Sequence, residues 1–235
     1  MGQAMRMMSY SQSKNMSATT SIPGLVINNA PLSFYRMDDG VMGGQSQTHI
    51  DQLLQNKKQI TTCDEGNSSD DRIKDSSAGE DQDKANVLVF SGIINTNGGG
   101  FASIRSPLDN SIPNSAKGLK IKYKGDGKTY KILLSDGKGG GPFSSSPSWQ
   151  IDLPTKDSSE EEEACVYFND FVPSFGGRAS LSQVEREKYS FVNEEMKQIG
   201  LMLSLKLSNG DPNPVETFGS GIFDFRLEVD DVQLV

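Results

Sequence analysis

Apolar and polar residues alternate with a period of two through most of this chain, and that period restricts the fold more than any other feature. In LKIKYKG (119–125), Leu119, Ile121 and Tyr123 share one side while Lys120, Lys122 and Lys124 share the other. Such a segment is a strand with one face in water. IGLMLSLKLS (199–208) places Ile199, Leu201, Leu203, Leu205 and Leu207 inward, and WQIDL adds Trp149, Ile151 and Leu153. NVLVFSGII, FASIRS, YKILLSD and ACVYFND extend the series of short runs, each broken by Gly, Asn, Asp or Pro. No βαβ pattern is present, and the one helical candidate, Leu181 to Lys197, has irregular apolar spacing. The expected fold class is all-β, an antiparallel β-sandwich or jelly roll.

The closing segment FDFRLEVDDVQLV contains a break in the alternation. Phe223, Phe225, Leu227 and Val229 point one way, then Val232 and Leu234 fall on the opposite parity. One extra residue at Asp230 or Asp231 restores the pattern, which predicts a β-bulge that bends the strand around the core.

The formal charge is −8 over 235 residues, which disfavours nucleic acid as a partner because phosphate neutralisation needs a basic face. The acidity is concentrated. Residues 64–86 carry net −5 and residues 155–164 net −4, leaving the rest close to neutral. Both segments are poor in large apolar residues and are expected to be mobile inserts. No apolar run reaches the roughly 18–20 residues of a membrane span. Residues 1–22 read as a flexible tail ahead of a single domain at 23–235. This tail is acid-free and Ser/Thr-rich like a transit segment, yet only Arg6 and Lys14 are basic, and Arg6 stands where a myristoylation signal needs Ser or Thr.

Catalytic and metal-binding constellations are missing from the sequence. Cys63 and Cys165 have no metal-ligand spacing, and Cys165, inside ACVYF, reads as a small core residue without a disulfide. His49 is the single histidine and reads as a surface or strand residue. Nucleophile-base chemistry needs a base beside the nucleophile, and the acids lie mainly in segments too mobile to hold a catalytic pair. A non-enzyme without cofactor or metal is expected.

DDGVMGGQS (38–46) packs two carboxylates and three glycines into nine residues. A P-loop needs Lys and Ser/Thr after its last glycine, and Gln45 stands there instead. A calcium loop needs alternating carboxylates, and the next acid after Asp39 is Asp51. The remaining reading is a turn in which Gly40, Gly43 and Gly44 supply positive φ or close backbone approach.

Taken in order, DDGVMGGQS, NGGGFASIRS (97–106), GLKIKYKGDGKTYKILLSD (118–136), WQIDL, FNDFVPSFGGR (168–178), IGLMLS and GIFDFRLEVDDVQL resemble the complex I intermediate-associated protein 30 family from about Phe34 to the C-terminus. The resemblance implies a galactose-binding-like β-sandwich. It also implies a non-catalytic assembly factor that binds protein subunits of a membrane complex: mitochondrial complex I for one branch, a photosynthetic complex for plastid relatives. A mitochondrial location is the first expectation, with plastid or cytoplasm as alternatives. Gly176-Gly177-Arg178 and the EEEE run depart from the family pattern, and partner choice resides in such loops. A carbohydrate- or small-ligand-binding module is the rival reading, by fold analogy alone.

Within the family-like core, the candidate structural or interaction residues are Asp38, Asp39, Gly43, Gly44, Gly99, Gly100 and Arg105. Phe101, Ser103 and Arg105 share one strand face. If that face is inward, Arg105 needs a carboxylate for its planar fork, and Asp38 or Asp39 is the expected partner. If it is outward, Arg105 lies in water and becomes a contact for the assembly partner.

Overall fold

A computed structural model describes residues 20–56, 84–138, 146–175 and 187–235. The expected antiparallel β-sandwich is formed, from two sheets. Strands β1 (Thr20–Ile27), β2 (Ala30–Arg36), β5 (Phe101–Pro107), β7 (Thr129–Ser135), β8 (Ser148–Pro154), β10 (Val172–Ser174) and β11 (Gln198–Ser204) make a seven-stranded sheet in the order β1-β2-β5-β11-β7-β8-β10. Strands β3 (Gln47–Asn56), β4 (Lys84–Asn95), β6 (Gly118–Lys124), β9 (Glu162–Tyr167) and β12 (Ile222–Leu234) make a five-stranded sheet in the order β3-β4-β12-β6-β9.

The period-two segments supply the core from both sheets. Ile104 on β5, Leu201 on β11 and Ile132 on β7 are register neighbours, and all three are buried. Facing them, Phe90 on β4 and Phe225 on β12 meet edge to face at 4.9 Å between ring centroids, and Tyr130 of β7 reaches across to Phe90 at 6.1 Å. Edge-to-face ring pairs of this kind add roughly 0.5–1.5 kcal/mol each beyond the area they bury. The Tyr130 hydroxyl donates to Asp126 Oδ1 at 2.9 Å, so its polar end is satisfied at the rim of the core.

The bulge in the last strand falls where the alternation breaks. Val229 pairs with Tyr123 and Asp231 with Lys122, so Asp230 is the extra residue. The shift returns Val232 to the buried side, opposite Ile121. Burial raises the Asp230 carboxyl above its ordinary value, Glu161 and Glu228 push it the same way, and Lys124 and Lys122 oppose them.

Several expectations are corrected. Cys165 is an exposed free thiol, not a core residue: on β9 the inward positions belong to Ala164 and Val166, and the alternation turns Cys165 outward. Cys63 lies outside the described residues. The acidic stretch 155–164 is not wholly loop, because Glu162, Glu163 and Ala164 open β9 and pair with Tyr123, Lys122 and Ile121. Its charges complement the lysine face of β6: Lys120 Nζ lies 3.0 Å from Glu163, and Lys122 Nζ 3.9 Å from Glu161. Of the other acidic segment, Lys84, Ala85 and Asn86 belong to β4, while residues 64–83 lie outside the described residues. Strand β1 starts at Thr20, inside the expected tail, and buries Ile22. The helical candidate is not a helix over its described part: residues 187–197 contain a single 3-10 turn, Asn193–Glu195. His49 is exposed on β3.

Candidate functional site

The two glycine-rich motifs meet around one carboxylate. Asp39 opens a short 3-10 turn, Asp39–Met42, and is fully buried, at 0% exposure. Its Oδ1 accepts from the Ser46 N–H at 2.9 Å, and its Oδ2 accepts from the Ser46 hydroxyl at 2.7 Å and the Gly100 N–H at 2.6 Å, with the Phe101 N–H more distant at 3.4 Å. Ser46 Oγ in turn accepts from the Asn95 N–H at 3.1 Å, tying β4 to the same knot. Burial alone would push the Asp39 carboxyl up. The donors from Gly100, Ser46 and Phe101 outweigh it and hold the group below its ordinary value.

The glycines follow from that carboxylate. Gly43 has φ +86°, a left-handed position with open space around it. Gly44 and Gly99 are needed for room instead: a Cβ at Gly44 would lie 2.7 Å from Asp39 Cβ, and one at Gly99 2.7 Å from Asp39 Cγ. Gly100 combines a donated N–H with φ +128°. Asp38 is the partly exposed residue before the turn and makes no capping hydrogen bond. The carboxylate is closed off from solvent, and both of its oxygens already accept from N–H or O–H donors.

Arg105 is not part of the knot. Among the described residues neither Asp38, Asp39 nor any other carboxylate lies within ion-pair distance of its guanidinium. The inward-facing alternative fails because Ala102 and Ile104, of opposite parity, are the β5 residues in the core. The outward alternative needs correction too, because Arg105 is only partly exposed. It stands between Tyr35 of β2 and Gly200 of β11, its direct register partners. Its side chain lies across Gly200, where a Cβ would be 2.5 Å from Arg105 Cδ and 2.7 Å from Nη1. Desolvation lowers the guanidinium to about 10, with Tyr35 opposing the shift.

The register extends this row across the outer face of the seven-stranded sheet, the side turned away from the core, through Leu133 of β7 to Gln150 of β8, both of which are buried. Around it the Tyr35 hydroxyl accepts from Gln198 Nε2 at 2.6 Å, and Ser135 Oγ donates to Gln198 Oε1 at 3.3 Å. Ser103, two residues before Arg105 on the same face, is buried and its hydroxyl has no partner among the described residues. Toward β8, Lys131 Nζ donates to Gln150 Oε1 at 3.4 Å, and burial lowers the lysine to about 8. Asp152 next to it accepts from both the N–H and hydroxyl of Ser208, at 2.8 Å each.

Reading the sequence strand by strand missed Tyr35, Lys131, Gln150 and Gln198, and placed Ser103 only as sharing a strand face with Arg105. The signal that could have found them is the composition of the outward parity: Ser103-Arg105, Lys131-Leu133-Ser135 and Ser148-Gln150-Asp152 are too mixed for a plainly solvated face. A second feature is a cleft beside Phe168, Asn169, Asp170, Phe171 and Phe191. Phe168 and Phe191 stack there at 4.9 Å, and Trp149, at 6% exposure, meets Phe191 at 5.4 Å. Among the described residues no group of three or more His, Cys, Asp or Glu side chains is arranged to hold a metal ion, and no helix is long and apolar enough to cross a membrane.

No curated protein matches the chain. The chain is similar in structure to a family 11 carbohydrate-binding module of the cellulosomal cellulase Lic26A-Cel5E of Clostridium thermocellum, at TM-score 0.49 and 8% identity, covering 93% of this chain and 95% of that one. A second structure of a family 11 module from Clostridium thermocellum, in complex with a β-1,3-1,4-mixed-linked tetrasaccharide, matches at TM-score 0.39 and 10% identity over 84% of this chain and 95% of that one. The family model for complex I intermediate-associated protein 30 matches residues 28–229. That span runs from the turn after β1 into β12 and takes in both glycine-rich motifs, Arg105 and its neighbours on the outer face, so the chain belongs to the complex I intermediate-associated protein 30 family.

Proposed function

We propose that this protein is a non-catalytic assembly factor that binds a protein subunit of a membrane-bound electron-transfer complex during its construction, with mitochondrial complex I as the complex. The observation that carries this reading is the family match over 28–229. The site chemistry agrees with it. Asp39 is taken up in holding two loops together, and Arg105 and Tyr35 are partly exposed polar groups paired on the sheet face turned away from the core. These two groups suit recognition, presented on a rigid sheet.

The test is affinity capture of the tagged full chain from detergent-solubilised mitochondrial membranes, with quantitation of complex I subunits against other respiratory complexes. Enrichment of a defined subset of complex I subunits, together with accumulation of a subassembly when the protein is depleted, is the expected result. Unchanged complex I after depletion, with photosynthetic or no membrane subunits captured, would overturn it. A plastid location would then be the next reading. The carbohydrate-module alternative rests on fold analogy alone, and Trp149, the only tryptophan, is buried against Phe191.

A further inference from the structure

An arginine retains its charge in proteins, so burying one normally requires a carboxylate or several carbonyl acceptors beside it. Arg105 has neither an ion-pair partner nor a hydrogen-bonded acceptor among the described residues, although it is partly withdrawn from water. Its position is nonetheless well defined. Gly200 across the ladder leaves the space in which the side chain lies flat over β11, and Ile104 O, 2.6 Å from a Cβ built there, closes that space to any larger residue. Beside it, the Tyr35 hydroxyl accepts from Gln198 and so retains its own proton to donate. Ser103, on the same face, holds a second hydroxyl without a partner. Two hydroxyl donors thus share this face with a single guanidinium, the Tyr35 hydroxyl on the register neighbour of Arg105 and the Ser103 hydroxyl buried beneath the surface, and no acceptor among the described residues uses that guanidinium.

We infer that Arg105, with the Tyr35 hydroxyl, is the anchor for one carboxylate group presented by the partner polypeptide on the outer face of the seven-stranded sheet. The inference rests on the assembly-factor reading for the source of that carboxylate. A carboxylate is favoured over a phosphate because, among the described residues, no second cation stands beside Arg105: its register neighbours are Tyr35 and Gly200, and Lys131 stands two strands away, engaged with Gln150. A dianion would leave charge unmatched on a chain whose net charge is already −8. The planar guanidinium can bind both carboxylate oxygens side by side, and the tyrosine hydroxyl adds a third donor.

The experiment follows the Arg105 Nε–Hε NMR signal of the labelled full chain, assigned by its absence in Arg105→Met. The probes are N-acetylglutamate methylamide, its glutamine counterpart, glucuronate and inorganic phosphate, all at constant ionic strength. A saturable shift with the glutamate compound, little or none with the glutamine compound, and a weaker effect in Tyr35→Phe support the site. No shift, or tighter binding of phosphate, overturns the carboxylate assignment, and equal binding of glucuronate overturns a polypeptide source. Arg105→Met should fold at least as stably as the parent, because removing an unpaired, desolvated charge costs nothing in pairing. In the membrane capture experiment it should recover at least about tenfold less subunit, the usual scale for removing one partner of a desolvated charge pair. Undiminished capture by Arg105→Met would overturn this inference and leave the assembly reading intact. Glutamate binding without capture of any complex subunit would do the reverse.

Discussion

Gly99 lies so close to Asp39 that a Cβ there would stand 2.7 Å from the carboxylate carbon. The contact joins residues 60 positions apart and makes the knot a long-range crosslink between the β2–β3 connection and the start of β5. Asp39→Asn should cost about 2–3 kcal/mol, because both carboxylate oxygens accept from donors and the new NH2 must face one of them. Because hydrogen bonding holds the folded-state value below 3.8, the stabilisation is fully present above that pH and is lost as the pH falls through the lower, folded value. Urea melts should therefore show a shallower acid limb for Asp39→Asn than for the parent, and parallel limbs would refute the assignment.

The glycines should separate by mechanism. Gly43→Ala faces open space and only a left-handed φ, so it should cost about 1 kcal/mol. Gly44→Ala and Gly99→Ala displace the Asp39 side chain and should cost about 3 kcal/mol, an overpacking penalty with lost hydrogen bonds. In the double variant with Asp39→Asn, Gly99→Ala should add much less than it costs alone, since the interaction it disturbs is already broken. Denaturant melts on the four singles and this double check both statements.

Strand parity is a local property, which is why the alternation of β6, β11 and β12 and the bulge at Asp230 were legible in the sequence, although β11 ends at Ser204 and leaves Leu205 exposed where the alternation placed it inward. The same parity should have turned Cys165 outward, but the apolar run ACVYF hid it, since a continuous run reads as buried on both sides. What stands beside a residue depends on strand order, and strand order is nonlocal. Nothing in FASIRS states that β2 and β11 flank β5, so the sequence could raise the question of a partner for Arg105 but could not reveal Tyr35 and Gly200. Acids in a turn with ample glycine were a sound clue to a second role for DDGVMGGQS. The role is to receive backbone N–H groups and a serine hydroxyl, and those donors carry no mark in the sequence.

The hairpin β3–β4 gives a test of the first acidic segment. Replacing residues 64–83 by a short Gly-Ser linker should move Tm by no more than a few degrees, because loop-closure entropy changes slowly with length. Extending the deletion to 86 removes Lys84, Ala85 and Asn86 from β4, where they pair with Asn56, Gln55 and Leu54, and should lower Tm further. Equal melts for the two deletions would show that this end of the hairpin contributes nothing.

Lys131 makes stability depend on alkaline pH. It is 4% exposed on β7, and burial brings it to about 8 from 10.5, with Asp152 opposing the shift and Lys206 adding to it. The unfolded chain therefore binds more protons than the folded one between about pH 8 and 10.5, and stability must rise with pH across that window. At 1.36 kcal/mol per pH unit the rise is of the order of 3 kcal/mol. Lys131→Met should remove it: more stable than the parent at pH 7, less the roughly 1 kcal/mol lost when Gln150 Oε1 gives up its donor, and without this rise above pH 8. Urea melts of both proteins at pH 7, 8, 9 and 10 measure the difference directly, and other lysines and tyrosines cancel in the comparison. A constant stability difference across that range would place the Lys131 ammonium in water.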